Sequence, residues 1–307
     1  MEAEFTSLLG MSQEIAKEKQ ASLPAVIKEL LHYEIIQALL QSGSASELVF
    51  QGGTALRLCY GGVRYSEDLD FAGGLDFDPS SMKPFVEKLK DNVGATYGLS
   101  VAVDEHLPNR HDNVPVGRWK SKILLPDYDK SAKQNYVIHV EVAQIPAYSS
   151  EVRPLQVISN RVAYGYRSLM LKVESKDEIL ADKIVALGAR DYLKSRDLWD
   201  IHMLAQDGVW LNTDFVRSKI KDYHLDFDNF LHRLRERVAV LGQPSTISAF
   251  QKEMSRFLDS SLQAFIQDTK VVRNTLDVVV DVAETALSQL ALAHPSSTEK
   301  PRSRLRR

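Results

Sequence analysis

From Val26 to Leu40, apolar residues recur three and four positions apart: Val26, Ile27, Leu30, Leu31, Ile35, Ile36, Leu39 and Leu40 make a helical stripe. Pro24 stands just before it, where a missing N–H costs a helix little, and Gly43 closes it. Residues 11–42 therefore predict two helices. The period then shortens. Leu48–Phe50 is a brief apolar run, Gly52 and Gly53 interrupt it, and Ala55–Tyr60 returns to a helical pattern. In Asp68-Leu69-Asp70-Phe71 polar and apolar residues alternate, which marks a strand and puts both aspartates on one face. Pro79 opens a helix over about 80–94, and strands are predicted at about 99–105, 119–125 and 136–143. In the last of these Ile138, Val140 and Val142 face one way, His139 and Glu141 the other.

From Ser175 the period is helical to about residue 292. Ser175 and Glu178 read as a capping box ahead of Ile179, Leu180, Ile184 and Leu187. Gly188 is expected to interrupt this helix, and Arg190–Gly208 reads as the next one. No internal repeat is visible. The pattern divides the chain into an α/β part with N-terminal helices (1–170), a helical domain (171–293) and a polar, basic, disordered tail (294–307).

Composition changes this picture little. At 307 residues and 44% hydrophobic, the chain can build a sizeable core. A net charge of −3 gives no global basic field of the kind that announces a nucleic-acid binder. Cys59 is the single cysteine, which excludes an intramolecular disulfide framework and a cysteine-rich zinc site and fits a reducing compartment. The first twenty residues lack the basic-then-apolar order of a secretory signal, and no apolar run approaches the ~18 residues that span a bilayer. A soluble, cytoplasmic protein is expected.

The chemistry is concentrated in a few acids and two glycines. Two carboxylates about 4 Å apart repel by about 4 kcal/mol at an effective dielectric near 20. A hard divalent cation relieves that repulsion, and Mg²⁺ favours a few carboxylates together with waters and substrate phosphates. Asp68 and Asp70 on one strand, with Glu141 on a later one, suit such an ion. Gly52-Gly53-Thr54 lies between a strand and a helix, where glycines allow close backbone approach and free N–H groups can meet a triphosphate. Each signal alone is commonplace. Their order along the chain, with residues 55–67 separating the glycine turn from the aspartates, is not.

That order resembles the polymerase-β-like nucleotidyltransferases, whose signature is G-G-[ST], a spacer and D-h-[DE]-h. The fuller string, GGTALRL followed by VRYSEDLDF, resembles one branch, the AbiEii/AbiGii-type toxins that include the MenT toxins. The branch also carries D-K on a helix and then R-D-x-x-D, matched by Asp182-Lys183 and by Arg196-Asp197-Leu198-Trp199-Asp200. The matching stretch covers about residues 45–205. The resemblance implies an α+β fold, a mixed and mostly antiparallel sheet flanked by helices, followed by an all-helical C-terminal domain. It implies a Mg²⁺ ion, or Mn²⁺ in its place, on Asp68 and Asp70, and an NTP held by Gly52, Gly53, Thr54 and Ser66. Lys183 would neutralise phosphate charge and Asp200 complete the polar site. Glu141 would be a third metal ligand by the superfamily pattern, a role this branch can give to Asp200.

The bland readings of these residues are a solvent-facing Lys183, an Asp200–Arg196 pair across one helical turn and a turn-forming Ser66. Arg57 and Arg64 reach phosphates or cover the sheet edge, while His139 reads as structural and Cys59 as core. The implied reaction moves NMP from NTP to RNA, at the tRNA 3′ acceptor end, blocking translation, with a cognate antitoxin protein encoded nearby. Basic clusters at Arg190, Lys194 and Arg196, at Arg217, Lys219 and Lys221, and at Arg233, Arg235 and Arg237 are candidate RNA contacts, as is the tail. A rival reading keeps the chemistry but modifies a protein or an aminoglycoside, with Asp222, Asp226 and Asp228 as an acidic pocket. A non-catalytic binding module would be expected to lack a metal acid or the glycine pair, and both are present.

Overall fold

Serines start both N-terminal helices of the computed structural model, which describes residues 7–107, 114–125, 134–162 and 164–292. Ser7 Oγ accepts from the N–H of Gly10 at the head of α1 (Leu8–Lys19), and Ser22 Oγ from Ala25 at the head of α2 (Leu23–Gln41). The predicted basic tail, 294–307, lies outside the described residues. Helix α2 is buried on almost every side, as its broad apolar stripe requires, and its polar residues are answered individually. Glu29 is paired with Arg57 at 2.8 Å, and Glu34 accepts from the Tyr166 hydroxyl.

The chain then builds one seven-stranded sheet. In order come β1 (Val49–Gln51), α3 (Gly52–Tyr60), β2 (Leu69–Ala72), α4 (Lys83–Tyr97), β3 (Val101–His106), β4 (Val116–Leu125), β5 (Gln134–Ala143), β6 (Ser150–Pro154) and β7 (Met170–Glu174). Across the sheet the strands run β3-β4-β5-β2-β1-β7-β6. Among the described residues only the β2–β5 and β1–β7 pairs are parallel. One face of β5, Ile138, Val140 and Val142, is fully buried against the helices, which leaves His139 and Glu141 on the other. Register then decides what lies beside Glu141. Asp70 is its neighbour on β2, Gln51 lies opposite Asp70 on β1, and Arg118 opposite Glu141 on β4.

Strands β6 and β7 were not predicted. β6 is a short, mostly exposed edge strand, and β7 is five residues long with only Leu171 and Val173 as its inward apolar pair. Runs that short carry too little periodicity to separate strand from loop. The sheet therefore extends past residue 170 to Glu174.

Among the described residues seven helices follow: α5 (Lys176–Ala189), α6 (Ser195–Gln206), α7 (Thr213–Asp222), α8 (Phe227–Leu241), α9 (Pro244–Met254), α10 (Ser260–Gln267) and α11 (Thr269–Leu292). Gly188 does not interrupt α5. A side chain there would meet the Phe230 ring at 2.4 Å, so the glycine lets α8 pack closely. Helix α6 begins at Ser195 rather than Arg190, leaving 190–194 as a loop. No helix among the described residues is long and apolar enough to cross a membrane.

The expected capping box is also absent. Ser175 is the N-cap of α5, but its side chain makes no capping bond. Glu178 turns instead to the backbone N–H groups of Tyr148 and Ser149 and to Lys219 Nζ at 2.7 Å. Lys219, read from sequence as a candidate RNA contact, is fully buried on α7 among Glu174 (2.9 Å), Glu178 and Asp182 (3.3 Å). Burial pushes the Glu174 carboxyl well above its ordinary range and raises that of Asp182, and mutual repulsion adds to both. The Lys219 ammonium is what makes the cluster tolerable.

Removing one member of a buried ionic group typically costs about 3–5 kcal/mol. Lys219→Met should lower unfolding free energy by about that much near neutral pH, measured by urea denaturation. Acids whose pKa is raised on folding contribute stability at low pH that is lost as pH rises through the folded value. The deficit should therefore shrink on acidification toward pH 5. A deficit independent of pH would show that Lys219 supports the fold by packing alone.

Candidate active site

The β1–α3 turn, the β2–β5 pair and the α5–α6 segment meet at a cleft of about 340 Å³. One wall is acidic. Asp70, on the interior strand β2, faces the cleft beside Glu141, with Asp68 two residues earlier. Burial, then repulsion from Glu141 and Asp68, raises the Asp70 carboxyl to about 6. Asp68 is oriented by β5: its Oδ1 accepts from the His139 backbone N–H at 3.1 Å and lies 3.0 Å from His139 Nδ1. Glu141 Oε1 is 2.5 Å from Arg118 Nε, so part of its charge is already answered within the protein.

Gly52 and Gly53 begin α3 at the floor of the cleft. Gly52 takes φ +77°, and a side chain there would press on Asp70 Oδ2 at 3.3 Å. Gly53 is needed for a different reason: a Cβ would lie 1.9 Å from Arg64 Nη2. The two glycines thus clear the space in front of a helix N-terminus, where unpaired N–H groups favour an anion. Thr54 does not face the cleft. Its hydroxyl donates to the Asp68 carbonyl and sits 2.7 Å from Ser66 Oγ, which ties the start of α3 to the start of β2. Ser66 itself lines the cleft.

The opposite wall is cationic: Lys183, Arg64, Arg190, Lys194 and Arg196. Lys183 Nζ is held 2.7 Å from Asp197 and 2.9 Å from Asp200. Asp200 is set behind the cleft surface, where Arg64 grips it with two parallel bonds of 2.5 and 2.6 Å. Burial opposes the charge of Asp197 and Asp200, but the neighbouring cations override it and hold both carboxyls below their usual range. The bland alternative for Asp200, a pair with Arg196, does not form; Arg196 reaches Glu67 at 3.0 Å. Lys194 enters no salt bridge among the described residues, and burial lowers its pKa, so an incoming anion would relieve it.

Sequence reasoning therefore placed Asp68, Asp70, Glu141, Gly52, Gly53, Ser66 and Lys183 along one cleft, while Thr54 and Asp200 brace it from behind. It missed Asp197 as the first partner of Lys183, although its spacing of three from Asp200 puts both on one helix face. His139, read from sequence as structural, touches Asp68 and helps to orient it. Only the pairing register reveals this contact.

Among the described residues no three His, Cys, Asp or Glu side chains converge as a complete metal-ligand set. Mg²⁺ does not need one, since it takes one or two carboxylates plus waters and substrate phosphates. Asp70, repelled by two neighbouring acids, and the free oxygen of Asp68 suit that role. Gly53→Ala should displace Arg64 and loosen its grip on Asp200 while leaving the sheet intact. A misplacement of this size can cost about 100-fold in rate. Nucleotide-transfer rate and far-UV circular dichroism check this together; unchanged turnover would show that the Arg64–Asp200 bracket is irrelevant to the site.

The comparisons with known proteins agree with this geometry. The family model of the nucleotidyl transferase AbiEii toxin, a type IV toxin–antitoxin system, matches residues 34–276. No curated protein matches the sequence. Among solved structures, the nucleotidyltransferase toxin MenT4 from Mycobacterium tuberculosis is 18% identical, with a TM-score of 0.53, covering 91% of this chain and 98% of its own. JHP933 from Helicobacter pylori is 20% identical with a TM-score of 0.49, covering 89% of this chain and 97% of its own. Fold, acidic strand pair and glycine turn converge on one conclusion: the chain belongs to the AbiEii family of nucleotidyltransferase toxins of toxin–antitoxin systems.

Proposed function

We propose that this nucleotidyltransferase transfers NMP from an NTP to RNA, at the tRNA 3′ acceptor end, in a Mg²⁺-dependent reaction in the cytoplasm that blocks translation until a cognate antitoxin restrains it. The observation that carries this reading is the two-sided cleft, with carboxylates on fixed strands facing a bank of cations across a helix N-terminus. Asp68 and Asp70 would hold Mg²⁺, which supplies charge neutralisation at the phosphates and lowers the pKa of the attacking hydroxyl.

The chain's own residues do the positioning. The N–H groups at Gly52 and Gly53 and the Lys183 and Lys194 ammoniums receive the triphosphate. Arg190, already answered by Asp197, is held at the cleft edge where charge develops on the leaving pyrophosphate. The acceptor hydroxyl attacks the α-phosphorus and the bond to the pyrophosphate oxygen breaks. Little covalent help is needed, so positioning and electrostatics carry the rate.

An RNA acceptor is favoured over a polycationic drug by the charges around the cleft. Two of the three acids that could have formed a drug pocket are otherwise engaged: Asp222 accepts from the Tyr148 hydroxyl and Asp226 caps α8. Arg190, Lys194 and Arg196 instead rim the cleft. The other basic clusters contribute less, since Lys219 is buried and Arg233 pairs with Asp191.

The test incubates purified protein with each α-³²P-labelled NTP, Mg²⁺ and total bacterial RNA. Label should appear on tRNA-sized RNA, vanish with EDTA, and fall by about 1,000-fold in Asp70→Asn. Label on protein or on a small polycation instead would replace the acceptor class. Undiminished labelling in Asp70→Asn would remove the acidic wall from the chemistry.

A further inference from the structure

The sheet face that carries the acids continues past them into an apolar row. Gln51, Asp70, Glu141 and Arg118 stand side by side on β1, β2, β5 and β4. Two residues away on the same strands, hence on the same face, the row is Val49, Ala72, Ala143 and Val116. One such step along a strand is about 7 Å. Val49, Ala72, Ala143 and Ile145 form a small apolar cluster separate from the main core, and Tyr223 packs against it from the end of α7.

This row is not sealed. Val116, Ala143 and Tyr223 line the same cleft as Asp70 and Lys183. Of the two aromatic residues along the cleft, Phe71 turns its ring into the core and stacks on Phe50 at 5.0 Å, which leaves Tyr223 to offer a ring. Its position is firmly set: Tyr223 N–H donates to the Lys219 carbonyl, and Lys219 is locked among three acids. Between apolar row and glycine turn, Gln51 Oε1 is buried and has no hydrogen-bond partner among the described residues, although Gln51 also lines the cleft. A buried acceptor left unmatched is costly unless a ligand supplies the donor.

We propose that Tyr223, Val116 and Ala143 form the nucleobase subsite of the incoming NTP, with Gln51 Oε1 accepting from a ribose hydroxyl. The assignment rests on the nucleotidyl-transfer reading and fixes which way the nucleotide lies. Its triphosphate runs toward Gly53, Lys183 and Lys194, its α-phosphate sits at Asp70, and its base lies one pleat beyond, a span that a ribose bridges. An aromatic face with small aliphatic neighbours accepts any base by stacking, because every base has a π-face.

The experiment is calorimetric titration of the full chain, with Mg²⁺ and without acceptor, using ATP, GTP, CTP and UTP in turn and inorganic tripolyphosphate as reference. The wild type should bind at least one NTP more tightly than tripolyphosphate. Tyr223→Ala should weaken NTP binding by about 5- to 100-fold, the usual range for a lost base stack, and leave tripolyphosphate unchanged. Tyr223→Phe should retain NTP affinity. Ala143→Leu, which fills the shelf without touching the cations, should reproduce the loss and carries the test if Tyr223→Ala fails to fold. Gln51→Leu should also weaken NTP alone.

Wild-type-like NTP affinity in both shelf variants would overturn the subsite, even where the labelling assay confirms transfer. If the variants instead raised only the acceptor KM in that assay, the shelf would hold the acceptor and the proposal would fall. If the wild type bound no NTP at all, the nucleotidyl-transfer reading would fail with it.

Discussion

The structure depends most on the buried bracket of Arg64, Lys183, Asp197 and Asp200. Arg64 comes from the segment between α3 and β2, Lys183 from α5, and the two aspartates from α6. Four charges taken out of water gain little net stability, because desolvation offsets most of their attraction. What they provide is geometry. The bidentate Arg64–Asp200 pair has one good arrangement, and it can be reached only because Gly53 has no side chain. The helical half is thereby fixed across the cleft from the sheet, with Lys183 held at the surface and Asp200 behind it.

A second ionic group makes the same connection on the far side. Lys219 on α7 binds acids from β7 and α5, and the bonds from Tyr148 and Ser149 to Glu178 draw in the chain after β5. The two groups share α5, where Asp182 turns toward Lys219 and Lys183 toward Asp197. Adjacent residues of opposite charge thus serve opposite brackets. A shift of α5 along its axis would break both at once, which explains why a helix of modest amphipathicity can hold so exact a position.

Much of this was legible in the sequence. The stripe in α2, the alternation in β5 and the glycine turn before α3 each follow from a single local rule, and each forms nearly where the pattern puts it. The failures were of two kinds. Strands β6 and β7 are too short for periodicity to show, and β7 is recruited by its parallel contact with β1 rather than by its own pattern. The other misreadings concern partners. Glu178 looked like half of a capping box and Lys219 like a surface cation, and only the meeting of α5 with α7 shows that they serve each other. Local sequence limits what a charged residue can do, and tertiary contact chooses its partner.

The same distinction separates the two walls of the cleft. Its acids lie on hydrogen-bonded strands, so parallel register sets Asp70 and Glu141 side by side. Burial is the first cause of the raised Asp70 pKa, and the neighbouring acids, fixed on their strands, add to it. The cations come from four places, the α3–β2 segment (Arg64), α5 (Lys183), the 190–194 loop (Arg190 and Lys194) and α6 (Arg196), so tertiary pairing rather than one register sets their positions. The acidic charge of the cleft is thus built into the sheet. The cations are held by pairing of graded strength: Arg64 and Lys183 are locked to Asp200 and Asp197, Arg190 and Arg196 each meet one or two acids, and Lys194 enters no salt bridge among the described residues, which makes it the cation of this wall least tied to the protein.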